Sequence, residues 1–254
     1  MTIQTLKQPN LFNIYKQETW IELLKVLRQP GFTIPSLLFP VMFYVFFGIA
    51  FSMGPSMPSY LLATYGTFGV IGPALFSFGL GVAIERGQGW YDLKEVFPMP
   101  PSAQIISRVL VSMAFGGAII ISLFLVGALF ADVVLERWQW VALAGTLLLG
   151  TLPFCLMGLA LGLSLKANVA PAIVNLIYLP MAFLSGLWVP ISFFPDFMQT
   201  VALLLPPYHL AQLALGIIDL DQGGSIVLHI SVLLAYVVLF AALSHQAFNR
   251  EQNK

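Results

Sequence analysis

The chain has 254 residues, no net formal charge, 59% apolar residues and only 9% charged ones. A soluble domain typically carries about 25% charged residues, so a surface built from this sequence cannot face water, and the mean hydropathy of +0.89 agrees. The charge balance leaves no basic footprint for nucleic acid, and a single cysteine, Cys155, set in an apolar stretch as a packing residue, excludes an intrachain disulfide or a cysteine metal cluster.

A membrane span needs roughly 20 apolar residues, and the chain beyond its polar start has room for six. The first expected element is an interfacial amphipathic helix over 11–28. Trp20, Leu23, Leu24 and Leu27 recur at helical spacing, while Lys16, Glu18, Glu22, Lys25 and Arg28 lie mostly elsewhere around the axis. A soluble amphipathic helix would read the same way; its place just before an apolar run favours the inner leaflet. No charged residue occurs from Gln29 to Ile84. That stretch holds two expected spans, 33–53 and 61–84, separated by Gly54-Pro55-Ser56-Met57-Pro58, which cannot stay helical. The run at 33–53 is too long and too late for a signal peptide.

A charged segment, 85–108, precedes the third span, 109–131. A short polar loop leads to the fourth, 140–165, and Lys166-Ala167-Asn168 turns the chain into the fifth, 169–189. Segment 196–218 is long enough to cross, but Pro206-Pro207 cuts it in the middle. The expectation is a re-entrant pair of short helices, 196–205 and 208–218, dipping in from the outer face, where irregular backbone must be buried in protein or line a wet cavity. The last span is 226–244. With the N-terminus inside, ten of the 11 Lys and Arg residues fall on the cytoplasmic side and only Arg137 outside. Trp138, Trp140 and Trp188 then mark the outer boundary.

The absences narrow the chemistry. No phosphate-binding G-x-x-x-x-G-K-[ST] loop, no H-E-x-x-H and no G-x-S-x-G elbow occurs. His209, His229 and His245 lack ligand spacing and read as structural or interfacial. No Asp, Glu, Lys or Arg lies mid-span, where pumps and secondary transporters often keep one. The spans instead hold glycine, proline and aromatics. Gly66, Gly69 and Gly72 share a face that suits close helix packing or a mobile, pore-lining helix. The hydroxyls of Tyr44, Tyr65 and Tyr178 face a conduit or bond a neighbouring helix.

In order, the markers resemble the membrane subunit of a type-2 ATP-binding-cassette exporter, an ABC-2 permease. They begin with Arg28-Gln29-Pro30 followed by Phe39-Pro40 and Phe47-Gly48. The inner loop contributes Glu85-Arg86-Gly87, Asp92-Leu93, Pro98 and Pro100-Pro101. Last come Ser185-Gly186, Pro190, Phe194-Pro195 and Leu205-Pro206-Pro207-Tyr208-His209. One departure is that Gly216 is followed by Ile217 where many members carry arginine. The resemblance implies an all-α integral membrane domain and a transport subunit that is not itself an enzyme. No cofactor would be bound by this chain; ATP and Mg would sit on a separate ATPase subunit. The working unit would be a homodimer, or a pair with a homologous permease, in the cytoplasmic membrane of a prokaryote, with both termini cytoplasmic.

A coupling helix would lie within 87–101, with Glu85, Arg86, Trp90, Asp92, Lys94, Phe97 and Pro98 facing the ATPase. The translocation route would involve Tyr44, Tyr65 and Tyr178, and an outer gate Pro190, Pro206, Pro207 and Tyr208. The cargo expected is an amphiphilic drug, lipid or glycan-type molecule moved outward. An ATP-independent secondary transporter or channel is the alternative.

Overall fold

A computed structural model describes residues 10–52, 54–90 and 100–252, all of whose regular structure is helical. Helix α1 (Leu11–Leu27) starts at Asn10, whose side chain accepts the Phe12 backbone N–H at 3.1 Å. It stops before Gln29-Pro30. Pro30 opens α2 (Pro30–Phe43), at a position where its missing N–H is no loss. A seven-residue π-helix, Tyr44–Ala50, continues α2 to a total of 21 residues. Each π turn takes in an extra residue and shifts the side chains after it around the axis.

Helix α3 (Met57–Gly87) begins earlier than the proline-rich turn suggests, because Pro58 falls in its first turn. It is the hub of the bundle. Of its apolar stretch 72% is buried, against 22% for α2 and 11% for the last helix, so the outer faces of those two are left for lipid. It packs against α2, α4 (Pro101–Phe130), α6 (Leu152–Ser164), α7 (Ala170–Leu184) and α9 (Pro206–Gly216).

The expected fourth span, 140–165, is two helices, α5 (Arg137–Leu149) and α6, with a turn at Gly150-Thr151. The Leu210 side chain fills the space where a Cβ at Gly150 would stand. Gly150 and Pro153, the latter in the first turn of α6, mark that break locally, and the tertiary contact from Leu210 packs against it. The glycine face on α3 serves packing: a Cβ at Gly69 would meet Ile119 at 2.5 Å, one at Gly66 Leu147 at 2.8 Å, and one at Gly72 the Tyr178 hydroxyl at 3.2 Å. The closest backbone approach is between α3 and α6. A Cβ at Gly162 would stand 2.5 Å from the Phe78 carbonyl oxygen, and one at Gly158 3.1 Å from that of Ala74.

Helix α7 has 15 residues, about 22 Å at 1.5 Å per residue, and the chain then bends through Gly186 at φ +74°. The segment expected to be interrupted at Pro206-Pro207 is divided into two short helices, with the break at 203–205 and the prolines beginning α9. They occupy its first turn, where a missing N–H breaks no intrahelical bond. The preceding α8 (Asp196–Ala202) is short. The chain closes with α10 (Ile226–Gln252), which packs on α6 and α9. Counting α5–α6 together as one, five helices are long and apolar enough to cross a membrane, and α7 is a shorter apolar one, among the described residues.

Candidate functional site

The ends of α3 and α4 that flank the charged segment are joined by ions. Glu85 and Arg86, expected to face a partner from a loop, stand in the final turn of α3 with their side chains engaged inside the chain. Glu85 Oε2 lies 2.5 Å from Arg108 Nη2, and Glu85 Oε1 is 3.0 Å from Lys25 Nζ. Glu22 on α1 reaches Lys25 at 2.8 Å and Arg108 at 3.6 Å. Arg108 is only 3% exposed and also donates from Nη1 to the Ser77 carbonyl at 2.9 Å. Gly81 makes room for it, since a Cβ there would stand 2.7 Å from Nη1. Arg86 donates to the carbonyls of Gly162 and Leu163 at 2.9 and 2.6 Å, satisfying the end of α6.

Helix α1 is thus fixed with its acidic residues inward: Glu18 and Glu22 are buried, while Phe12, Trp20 and Leu27 are exposed. Its apolar side is the free one, as a helix against lipid requires. Burial works against the Lys25 charge, but the Glu22 and Glu85 carboxylates together outweigh it and raise its pKa. The ion pair is therefore complete below the ordinary lysine value and is lost only as pH rises through the raised one. A cavity of about 550 Å³ borders this cluster, walled by Ile21, Phe32, Phe76 and Leu80, with Trp90 at its edge. Trp90 is exposed. Asp92, Lys94, Phe97 and Pro98 lie outside the described residues.

The three tyrosines are buried in the chain's own core. Tyr178 donates to the Phe68 carbonyl at 3.0 Å and stacks on the Phe68 ring at 5.1 Å; Tyr65 donates to the Trp188 carbonyl at 3.4 Å. Tyr44, fully buried, has no hydrogen-bond partner for its hydroxyl among the described residues. The expected gate residues are brought together. Pro190 leads into a short 3-10 turn, Ile191–Phe193. Pro206 and Pro207 are buried in the first turn of α9, and Tyr208 packs against Ile191 and Ala202.

Sequence reasoning missed one pairing here. His209 Nδ1 and His229 Nδ1 lie 2.9 Å apart, both rings buried, and His209 Nε2 is 2.9 Å from the Leu203 carbonyl. The two are 20 positions apart on different helices, so no local spacing could reveal them.

Apolar helices of spanning length, a central helix buried on all sides and ions gathered at one end define a multi-pass helical membrane protein. The ABC-2 type transporter family matches residues 15–218. Over 237 residues the chain is 30% identical to the Bacillus subtilis (strain 168) protein named "Putative transport permease YvfS", covering 91% of this chain and 96% of that protein. The chain belongs to the ABC-2 type transporter family: it is a membrane permease subunit of an ABC transporter, without an ATPase site of its own, and its ATPase is a partner.

Proposed function

We propose that the chain is one half of the membrane part of an exporter. Two permeases stand side by side in the cytoplasmic membrane of a prokaryote, each over a separate ATPase subunit that holds ATP and Mg. The six crossings are α2, α3, α4, α5–α6, α7 and α10, with both termini cytoplasmic and α8–α9 re-entrant from the outer side. The lysine and arginine asymmetry supports this orientation, and the exposed apolar faces of α2 and α10 support contact with lipid or a second permease. The cargo is an amphiphilic drug, lipid or glycan-type molecule.

The observation that carries the mechanism is the ion cluster. It ties α1, α3 and α4 together at both ends of the 87–101 segment. A push on that segment by a closing ATPase pair then reaches α3, the helix against which most of the bundle packs, and the spans shift as a body. Trp90, Asp92, Lys94, Phe97 and Pro98 form the docking surface, and Glu85 and Arg86 carry the load into the bundle. Tyr44, Tyr65 and Tyr178 shape the helices along the route from within, and Pro190, Pro206, Pro207 and Tyr208 cap it outside.

Replacing Asp92 and Phe97 together with Ala lowers transport-coupled ATPase activity in the assembled complex while both subunits still co-purify. Unchanged activity removes the coupling assignment. Transport by the permease alone in vesicles, with no ATPase subunit present, would establish instead the ATP-independent secondary transporter or channel.

A further inference from the structure

We propose that His209 and His229 form a proton-sensitive clasp between α9 and α10, closed when both rings are neutral and opened by acid. The hydrogen-bond partners decide the tautomers. A carbonyl only accepts, so His209 Nε2, 2.9 Å from the Leu203 oxygen, carries a proton. In a neutral His209, Nδ1 is then an acceptor. The facing Nδ1 of His229, at 2.9 Å, must be the donor. That leaves His229 Nε2 bare. It is buried without a hydrogen bond among the described residues, against Gly224, where an added Cβ would stand 2.9 Å from it.

The clasp has no room for two more protons. The first to arrive goes to His229 Nε2 and makes a buried cation. The second goes to His209 Nδ1, removing the acceptor and setting two cations at hydrogen-bond distance.

The other ionisable groups around the pair do not undo this. From α9, Tyr208 faces both rings at 5.4 and 6.1 Å. From the 217–225 segment, Asp221 and the Gly223 backbone both act on His229, and Asp221 also acts on Tyr208. Helix α3 contributes Tyr60, on which Tyr208 acts, and α6 has no charged residue. One carboxylate near the pair balances one added charge, not two.

The clasp joins the parts that would cap an outward route. His209 holds the α8–α9 connection through Leu203, and the Tyr236 hydroxyl of α10 donates to Leu204 beside it. That protons reach the pair from the outside medium rests on the orientation proposed above; the clasp itself does not.

The test is hydrogen–deuterium exchange of the full chain in lipid nanodiscs from pH 7.5 to 5, corrected for intrinsic rates. Opening that takes up one proton rises about tenfold per pH unit below the ordinary imidazole value of about 6.5. Wild-type protection over 206–216 and 226–236 falls accordingly. In His229→Asn, whose amide still donates to His209 Nδ1 but does not titrate, it stays flat. A flat wild type, or a variant that falls as steeply, overturns the proposal. If the variant is already open at pH 7.5, imidazole nitrogen NMR in a His245→Gln background decides. One ring protonated at Nε2 and the other at Nδ1 upholds the clasp, and two rings of the same tautomer end it. Neither readout involves ATPase coupling, so the clasp and the exporter reading fail separately.

Discussion

Arg108 is the residue on which the end of the bundle beside the charged segment depends. Its guanidinium is 3% exposed and sits between carboxylates from two other helices and a backbone carbonyl. Removing one member of a buried ion pair leaves the others uncompensated, at a cost of about 3–5 kcal/mol. Arg108→Met should therefore lower the thermal unfolding midpoint of the purified permease sharply. Lys25→Met touches the same two carboxylates, but the Lys25 side chain is 39% exposed, and pairs of that kind contribute about 0–1 kcal/mol. A midpoint loss for Lys25→Met as large as that for Arg108→Met would show that the network does not centre on Arg108. Sequence alone showed Arg108 only as the last charge before the third span. That the charge is turned inward required the positions of Glu22 and Glu85, 86 and 23 residues away in the chain and on other helices.

At the scale of elements, glycine decides which helices meet most closely. Gly158 and Gly162 of α6 let α3 approach until backbone oxygens fill the space a side chain would need. Overpacking at such a site costs about 1–3 kcal/mol. Gly162→Val should fall in that range, while Gly145→Val, on the neighbouring α5 with open space at its Cβ, should not. Thermal unfolding of the two variants side by side checks this, and equal losses would mean that helix propensity, not the α3–α6 contact, sets the effect.

Proline marked helix boundaries to within a few residues. Pro30 opens α2 ahead of position 33, where the first span was expected to begin. Pro206 and Pro207 divide their segment into two short helices as expected, but the break falls at 203–205, just before them, and the prolines form the first turn of α9. The break at Gly150-Thr151 falls just before Pro153, which occupies the first turn of α6, and Leu210 from α9 packs against Gly150 there.

For the whole molecule, the orientation makes a direct prediction. In a Cys155→Ala background, a cysteine at Gln222, which is exposed, reacts with a membrane-impermeant maleimide on intact cells. One at Gln88, also exposed, reacts only after permeabilisation. The reverse pattern would invert the topology and put the ion cluster on the outside, against the charge asymmetry.

What the sequence determined by itself is the solvent and the family. Sparse charge over long apolar runs forces a bilayer, because hydrocarbon demands helices whose backbone groups are satisfied internally, and the order of prolines and glycines was enough for an ABC-2 resemblance that the family match bears out. The tertiary structure alone decided which charges are structural, which helix is central and which histidines touch. Those facts depend on side chains meeting across helices, and once every span is apolar the pattern along the chain no longer says which of its faces turn inward.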